Sequence, residues 1–497
     1  MNELLIFYEE YKNKVAAFRF ATGSMYFDQA TYTPKDGALY ANEMLSIISG
    51  ESFTYSTDPN NIKKIETLYE KTEDPELKKE IGLRLRELHQ ISLLPKEVYI
   101  DFEKAKANSQ RCWEQAKAEN NYEIFKPHLV SLIKKKKEML KYFNYECSDY
   151  DYLLDQYQVG MDIKKYDAFF QEIKDSLVPL IHQINTTGKQ IDDSILYQEY
   201  DIENQKKFTE VLKEAFQINP KNCYLTESVH PFSAFFSKHD TRITTKYLKD
   251  NILSAILSTI HEYGHALYYL QLNESYQKTT FASEIGYAMH ESQSRLLENH
   301  IGRHPSFWKS NFPKLQERFP SLLKDVSLDD FMNMMNVSRP SLIRIEADEL
   351  TYPLHILIRY ELEKEIFNGT VDYNNLDVAW ADKYEEYLGV RPQTHAEGIL
   401  QDVHWSGAQF GYFPTYALGS AFSAQMFHQL EKDIDVDTVL ANGQFDKVAE
   451  WLASNIHQFG AKKSFEEILV DVTGEPFNPK YYTDYLVNKY KEIYQIK

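Results

Sequence analysis

Two histidines four residues apart, with a glutamate after the first, form the one stretch of this chain whose residue types and spacing spell out a reaction: His261-Glu262-Tyr263-Gly264-His265, inside ILSTIHEYGHALYYLQ. On a helix, positions i and i+4 lie one above the other on the same face, so both imidazoles can reach one divalent cation. Glu262 is turned around the helix toward the side the histidines leave open. Zinc held by such ligands lowers the pKa of its bound water to about 7, and a neighbouring carboxylate can take the proton. H-E-x-x-H is therefore a hydrolase signature with a mechanism attached. Its plain alternative is an amphipathic helix whose histidines only pack.

A tetrahedral zinc site needs a third protein ligand and keeps one place free. The next segment, FASEIGYAMHESQSRLLENHIG, is helical by period and offers Glu284 and Glu291. Seven residues apart, they share a helix face, and spacing alone leaves the choice between them open. Further along, GILQDVHWSGAQFGYFPTYALGSAFSAQM (398–426) gathers Gln401, His404, Tyr412 and Tyr416 among glycines. A backbone of this kind can pass close to a ligand. A His or Tyr donor aimed at a developing oxyanion is what peptide hydrolysis requires.

Composition sets the frame that must hold these groups. The chain has 497 residues, 43% hydrophobic and 14% aromatic, which suits a large globular core. Glycine and proline are few, favouring a mostly α architecture. A net charge of -19 argues against a nucleic-acid partner. Cys112, Cys147 and Cys223 are odd in number and scattered, which reads as buried, reduced thiols in a cytoplasmic protein. No segment has the length and apolarity of a membrane span, and MNELLIFYEEYKNK lacks the layout of a signal peptide.

In order, residues 1 to about 50 read as helix, loop (FDQATYTPKDGA) and helix, and 61–92 as charged surface helices. Helical spacing continues from Lys96 to Phe143, with Lys134–Lys137 as a solvated face. YDYLLDQYQVGM (150–161) reads as a turn, followed by helices over 163–186 and 200–216. Between 222 and 246, short alternating runs rich in Thr, Phe and Tyr predict a β-hairpin or small three-stranded sheet just before the metal helix. A free strand edge there could pair with an extended peptide. In the 321–366 region, SLIRIEADELTYPLHILIRYELEKEIFNG reads as a long helix whose start is crowded by Arg344, Glu346, Asp348 and Glu349, taken alone a solvated face. Closing helices fill 430–497. With no repeats or linkers, 1–497 reads as a single domain, an N-terminal helical half to about 220 and a metal-site half from about 221, flanking a cleft.

Six short motifs in order carry a resemblance: HPF at His230–Phe232, DxRxT at Asp240–Thr244, HExxH at 261–265, HES at His290–Ser292, IRxxAD at Ile343–Asp348 and GxxQxxHW at Gly398–Trp405. In these the chain resembles the thermostable carboxypeptidase 1 family, the carboxypeptidase Taq or M32 metallocarboxypeptidases. Two outer motifs depart from it, with Phe27 where the family has Trp and Gln158-Val159 where it has Glu-Pro. The resemblance implies a nearly all-helical fold with a deep groove between two halves, and a homodimer. It implies removal of single C-terminal residues from peptides with a free C-terminus, with broad specificity. It makes His261, His265 and Glu291 the metal ligands, for zinc or also cobalt, and Glu262 the general base. Arg242 and Arg344 would lie toward the groove's closed end and meet the substrate's carboxylate. His404, Tyr412 and Tyr416 would bind substrate and stabilise the transition state, with His230 and Gln401 also in the substrate site. A related thimet or dipeptidyl-carboxypeptidase-like oligopeptidase shares the HExxH helix but lacks the DxRxT and IRxxAD motifs. An inactive metal-binding scaffold would be expected to lack a ligand or the base, and none is missing.

Overall fold

The structure, a computed structural model, describes residues 1–282 and 286–496. It is 71% helical, and the described residues form a single small sheet. The sheet has three strands, β1 (Cys223–Glu227), β2 (Ser233–Ser237) and β3 (Asp240–Thr245), in the order β1-β3-β2. β3 pairs parallel with β1 and antiparallel with β2, so β1 and β2 are the edges. The sheet leads directly into the HExxH helix, Ile252–Leu270, which Asn251 caps by accepting from Leu253 N and Ser254 N. β2 lies along that helix, where the rings of Phe235 and Tyr269 stack 4.3 Å apart.

The main cluster of buried apolar residues runs from Phe102 to Tyr494 and includes both the HExxH helix and the helix Pro414–Asp433. A second, smaller cluster (Tyr8, Tyr11, Ile62, Ile65, Leu68 and neighbours) ties together the helices Asn2–Thr31, Pro59–Lys71 and Pro75–Ser92. The predicted helices over 163–186 and 200–216 are present as Ile163–Thr187 and Ile202–Ala215.

Several local readings are corrected. FDQAT ends the first helix instead of opening the loop, because Phe27 is buried against Phe232 and Phe236 of the sheet region. YDYLLDQY is a helix, Asp149–Tyr157, with Ser148 as its cap and Tyr150, Leu153 and Leu154 buried. Lys137 is not a solvated side chain; its ammonium donates to the carbonyls of Ile366 and Phe367, where the end of helix Tyr352–Asn368 concentrates negative potential. Cys147 is exposed, not buried. The helix predicted to carry Arg344 starts only at Tyr352. Asp348 accepts from Leu350 N, Thr351 N and the Thr351 hydroxyl and stops the chain from being helical before it. Arg344–Glu346 is an isolated 3₁₀ turn, and Arg344 and Glu349 are buried.

From Gly286 the chain forms the HES helix, Tyr287–Arg295, which continues as a π-helical turn over Leu296–Ile301. Gly286 has φ +111°, a conformation that disfavours other residues. The HES helix is held between two others at very short range. A Cβ on Gly264 would lie 2.5 Å from Ser294 Cα and 2.6 Å from the Gln293 carbonyl oxygen, and one on Gly419 would lie 2.8 Å from Glu291 Cβ. Backbone cannot turn aside as a side chain can. We therefore expect Gly264→Ala to cost about 1–3 kcal/mol or more, as overpacking does, and to separate Glu291 from the histidines. Thermal melting and metal content of the purified variant check both.

Candidate metal centre

His261 and His265 sit one turn apart on the HExxH helix, with Glu291 facing them from the HES helix. One ligand atom from each lies within 4.8 Å of the others. Glu291 Oε2 is 3.5 Å from His265 Nε2 and 3.9 Å from His261 Nε2. These distances suit a common cation between the three atoms. The donor set, two imidazoles and one carboxylate, is one that open zinc sites use.

Two of the three candidate ligands, His261 and Glu291, are held from behind by hydrogen bonds. His261 Nδ1 meets Glu298 Oε2 at 2.8 Å, which leaves Nε2 to face the site. Arg295 holds both carboxylates, donating from Nε to Glu291 Oε1 at 2.8 Å and from Nη1 to Glu298 Oε2 at 3.1 Å. Glu298, seven residues after Glu291 and three after Arg295, falls on the face that carries both. Burial alone would raise both carboxyls. Arg295 and the neighbouring histidines more than offset it, holding Glu291 well below the usual carboxylate range and Glu298 down to about 2. The ring of His265 stacks on that of His290, 4.4 Å away.

Glu262 is buried and hydrogen-bonded to Ser233 at the start of β2. Desolvation raises its pKa, against the pull of His261 and His265. Ionised, Glu262 and Glu291 gather negative charge beside the two imidazoles. Burying such charge is costly, and a divalent cation balances it. The residues present therefore fit the metal that their types predict.

A second cluster lies on the loop and helix opposite. Arg344 is 6% exposed. Its Nε donates to Asp402 Oδ1 at 3.0 Å and its Nη1 to the Tyr352 hydroxyl at 3.3 Å. Asp402 is also held by Arg359, whose Nε donates to Oδ2 at 2.6 Å. Two guanidiniums thus share one carboxylate, and one positive charge remains. The guanidinium of Arg344 lies over the rings of Tyr416 and Phe413. Tyr416 Oη is 3.5 Å from His404 Nε2, and Tyr412 packs edge-on against Tyr416 with ring centroids 5.1 Å apart. Burial, reinforced by Arg344 and Arg359, pulls His404 down to about 4, so it is neutral near pH 7 and can donate only one N–H. Burial raises both tyrosines, keeping them protonated donors. Tyr352 links the two clusters: Arg295 sits over its ring at 4.8 Å while its hydroxyl meets Arg344.

The profile of the carboxypeptidase Taq (M32) metallopeptidase family matches residues 7–490. The chain belongs to that family. It is similar to carboxypeptidase 1 of Bacillus subtilis, 38% identical over 97% of both chains, and to thermostable carboxypeptidase 1 of Thermus thermophilus, 35% identical over 94% of both. A solved structure of Pyrococcus furiosus carboxypeptidase superposes with a TM-score of 0.94 at 31% identity, covering 98% of each chain.

In this M32 chain the structure brings two groups of the predicted residues together. His261, Glu262, His265 and Glu291 converge, and Arg344, His404, Tyr412 and Tyr416 form the facing cluster. Gln401 is occupied structurally: its Oε1 accepts from Arg344 N, and its Nε2 donates to the carbonyls of Leu342 and Glu397. It fixes the backbone of Arg344. Arg242 lies on β3, paired through Nε and Nη2 with Asp240 and stacked over Phe236, and His230 is exposed ahead of β2. Glu284 falls outside the described residues. Glu298, Arg295, Asp402 and Ser233 were not singled out from sequence. A signal existed for two of them, since Arg295 and Glu298 follow Glu291 by four and seven residues and so repeat its helix face.

Second partners of metal-bound histidines typically tune affinity by 10–100-fold. Glu298→Gln keeps the shape but loses the charge that orients His261. We expect metal affinity to fall by about that factor, measured by chelator competition, with little change in secondary structure.

Proposed function

We propose that the chain is a metallocarboxypeptidase that removes single residues from peptides with a free C-terminus, with broad side-chain specificity. The observation that carries this reading is the positive charge left over where Arg344 and Arg359 share Asp402, placed beside Tyr416 and His404 and joined to the metal shell through Tyr352. A carboxypeptidase needs a fixed cation to receive the substrate's α-carboxylate, and a guanidinium stays charged at any working pH.

His261, His265 and Glu291 would hold Zn²⁺, or Co²⁺, and the bound cation supplies Lewis acidity toward water and the scissile carbonyl. Glu262 takes a proton from the attacking water and delivers it to the leaving amine. Its hydrogen bond to Ser233 holds it at the start of β2, an edge strand on which a substrate backbone can align. Tyr412, Tyr416 and neutral His404 donate to the oxyanion as it forms. Arg344 receives the C-terminus, and Arg242, His230 and Gln401 complete the substrate site, Gln401 by fixing Arg344. The single catalytic domain of 1–497, with halves meeting near 220, draws support from the buried cluster that crosses that position. Among the described residues no helix is long and apolar enough to cross a membrane. The cytoplasmic setting and the homodimer that the resemblance implies belong to this proposal. Helix Ala38–Ser56 offers an apolar face for the second copy, burying none of its residues and exposing Leu39, Tyr40 and Ile47.

Glu262→Gln should retain metal and lose at least about 100-fold in rate, the scale of general acid–base catalysis; near-normal turnover would remove its role. A peptide followed by mass over time should shorten one residue at a time, and its C-terminally amidated twin should be cut much more slowly. Arg344→Ala should weaken cleavage of the free acid about 10–100-fold, the worth of a charge-assisted contact, and narrow the gap to the amide. Equal rates on acid and amide, or first products shorter by two or more residues, would replace this reading with the oligopeptidase one.

A further inference from the structure

Glu363 lies in the middle of helix Tyr352–Asn368, fully buried, and belongs to none of the six motifs. Among the described residues it has no salt-bridge partner. Arg359, one turn back, is committed to Asp402, the His355 carbonyl and the Tyr384 hydroxyl. The Glu363 carboxylate instead accepts three neutral donors. Trp405 Nε1 reaches Oε1 at 2.8 Å, and Gly411 N and the Tyr150 hydroxyl reach Oε2 at 2.7 and 3.0 Å. Burial pushes the carboxyl up to about 7, so ionising it there is costly, and the three donors partly offset that cost.

Two of the donors belong to one loop, and each is the neighbour of a substrate-facing residue. Trp405 follows His404, and Gly411 precedes Tyr412. The two oxygens of one carboxylate therefore pin the loop at both places, and the rings of His404 and Tyr412 stack 5.6 Å apart across it. Gly411, at φ +90°, passes so close to Leu153 that a Cβ would lie 2.8 Å from its backbone, which brings its N–H within reach of Glu363. An amide in place of the carboxylate has one acceptor oxygen and would turn N–H against one of the donors. The geometry points to Glu363 as the positioning residue that sets His404 and Tyr412 at their working separation. This rests on the roles given to those two residues above.

The test is a double-mutant cycle on peptide hydrolysis with the metal-loaded full chain. Glu363→Gln should lower kcat by about 10–100-fold, the cost of misplacing a reacting group by an ångström, with KM and metal content little changed. In a Tyr412→Phe background the same substitution should cost much less, because the two act as a unit. Equal costs in both backgrounds, or a loss of metal, would overturn the assignment and leave Glu363 a general stabiliser. The indole N–H resonance of Trp405, identified by its loss in Trp405→Phe, should lie downfield and exchange slowly in the wild type, and move upfield in Glu363→Gln. An unshifted, fast-exchanging indole in the wild type overturns the clamp even if no Glu363 variant folds. If the wild type hydrolyses no peptide, the functional reading falls, while the indole resonance still decides whether the clamp exists.

Discussion

The metal centre depends on how closely two helix backbones can approach. At Gly264 the HExxH helix touches the main chain of Ser294 and Gln293, and at Gly419 the helix on the other side touches Glu291 itself. No side chain fits at either contact. This approach brings a carboxylate from a separate segment to within 4 Å of both histidines. A longer helix separation, filled by ordinary side chains at 8–10 Å, would leave Glu291 short of the site. The glycine inside HEYGH is thus as much part of the ligand geometry as the histidines flanking it.

Charge is the second constraint. The centre buries carboxylates that the low dielectric would otherwise neutralise, and Arg295 keeps Glu291 and Glu298 ionised by binding both. The same device recurs with signs exchanged at Asp402, where one carboxylate serves two arginines. One cluster gathers carboxylates around two histidines, and the other sets two guanidiniums on one carboxylate. A cation suits the first and a substrate carboxylate the second, and Tyr352 fixes the two relative to each other. Electrostatic preorganisation of this kind needs no rearrangement when charge develops during reaction.

Much of this was legible in the residue order. The HExxH spacing places two imidazoles on one helix face, whatever surrounds them, because 3.6 residues per turn is a local property. The alternating run before it gives the small sheet, and six ordered motifs give the family. Local pattern failed where a distant partner decided the outcome. Arg344, Glu346, Asp348 and Glu349 look like a solvated helix start, yet Arg344 is buried because Asp402, 58 residues on, receives it. YDYLLDQY carries the glycine-flanked look of a turn but folds as a helix because Tyr150, Leu153 and Leu154 find a core to enter.

By itself, then, the sequence determined the candidate ligand types, their helix, the helical class and the family, since these follow from spacing and short-range stereochemistry. Tertiary structure decided how Glu291 reaches the two histidines and which side chains are spent on holding others. It ties Gln401 to the backbone of Arg344 and brings Glu298 to His261. Those outcomes depend on contacts between segments tens to hundreds of residues apart, and on desolvation. Neither is encoded at a fixed spacing along the chain.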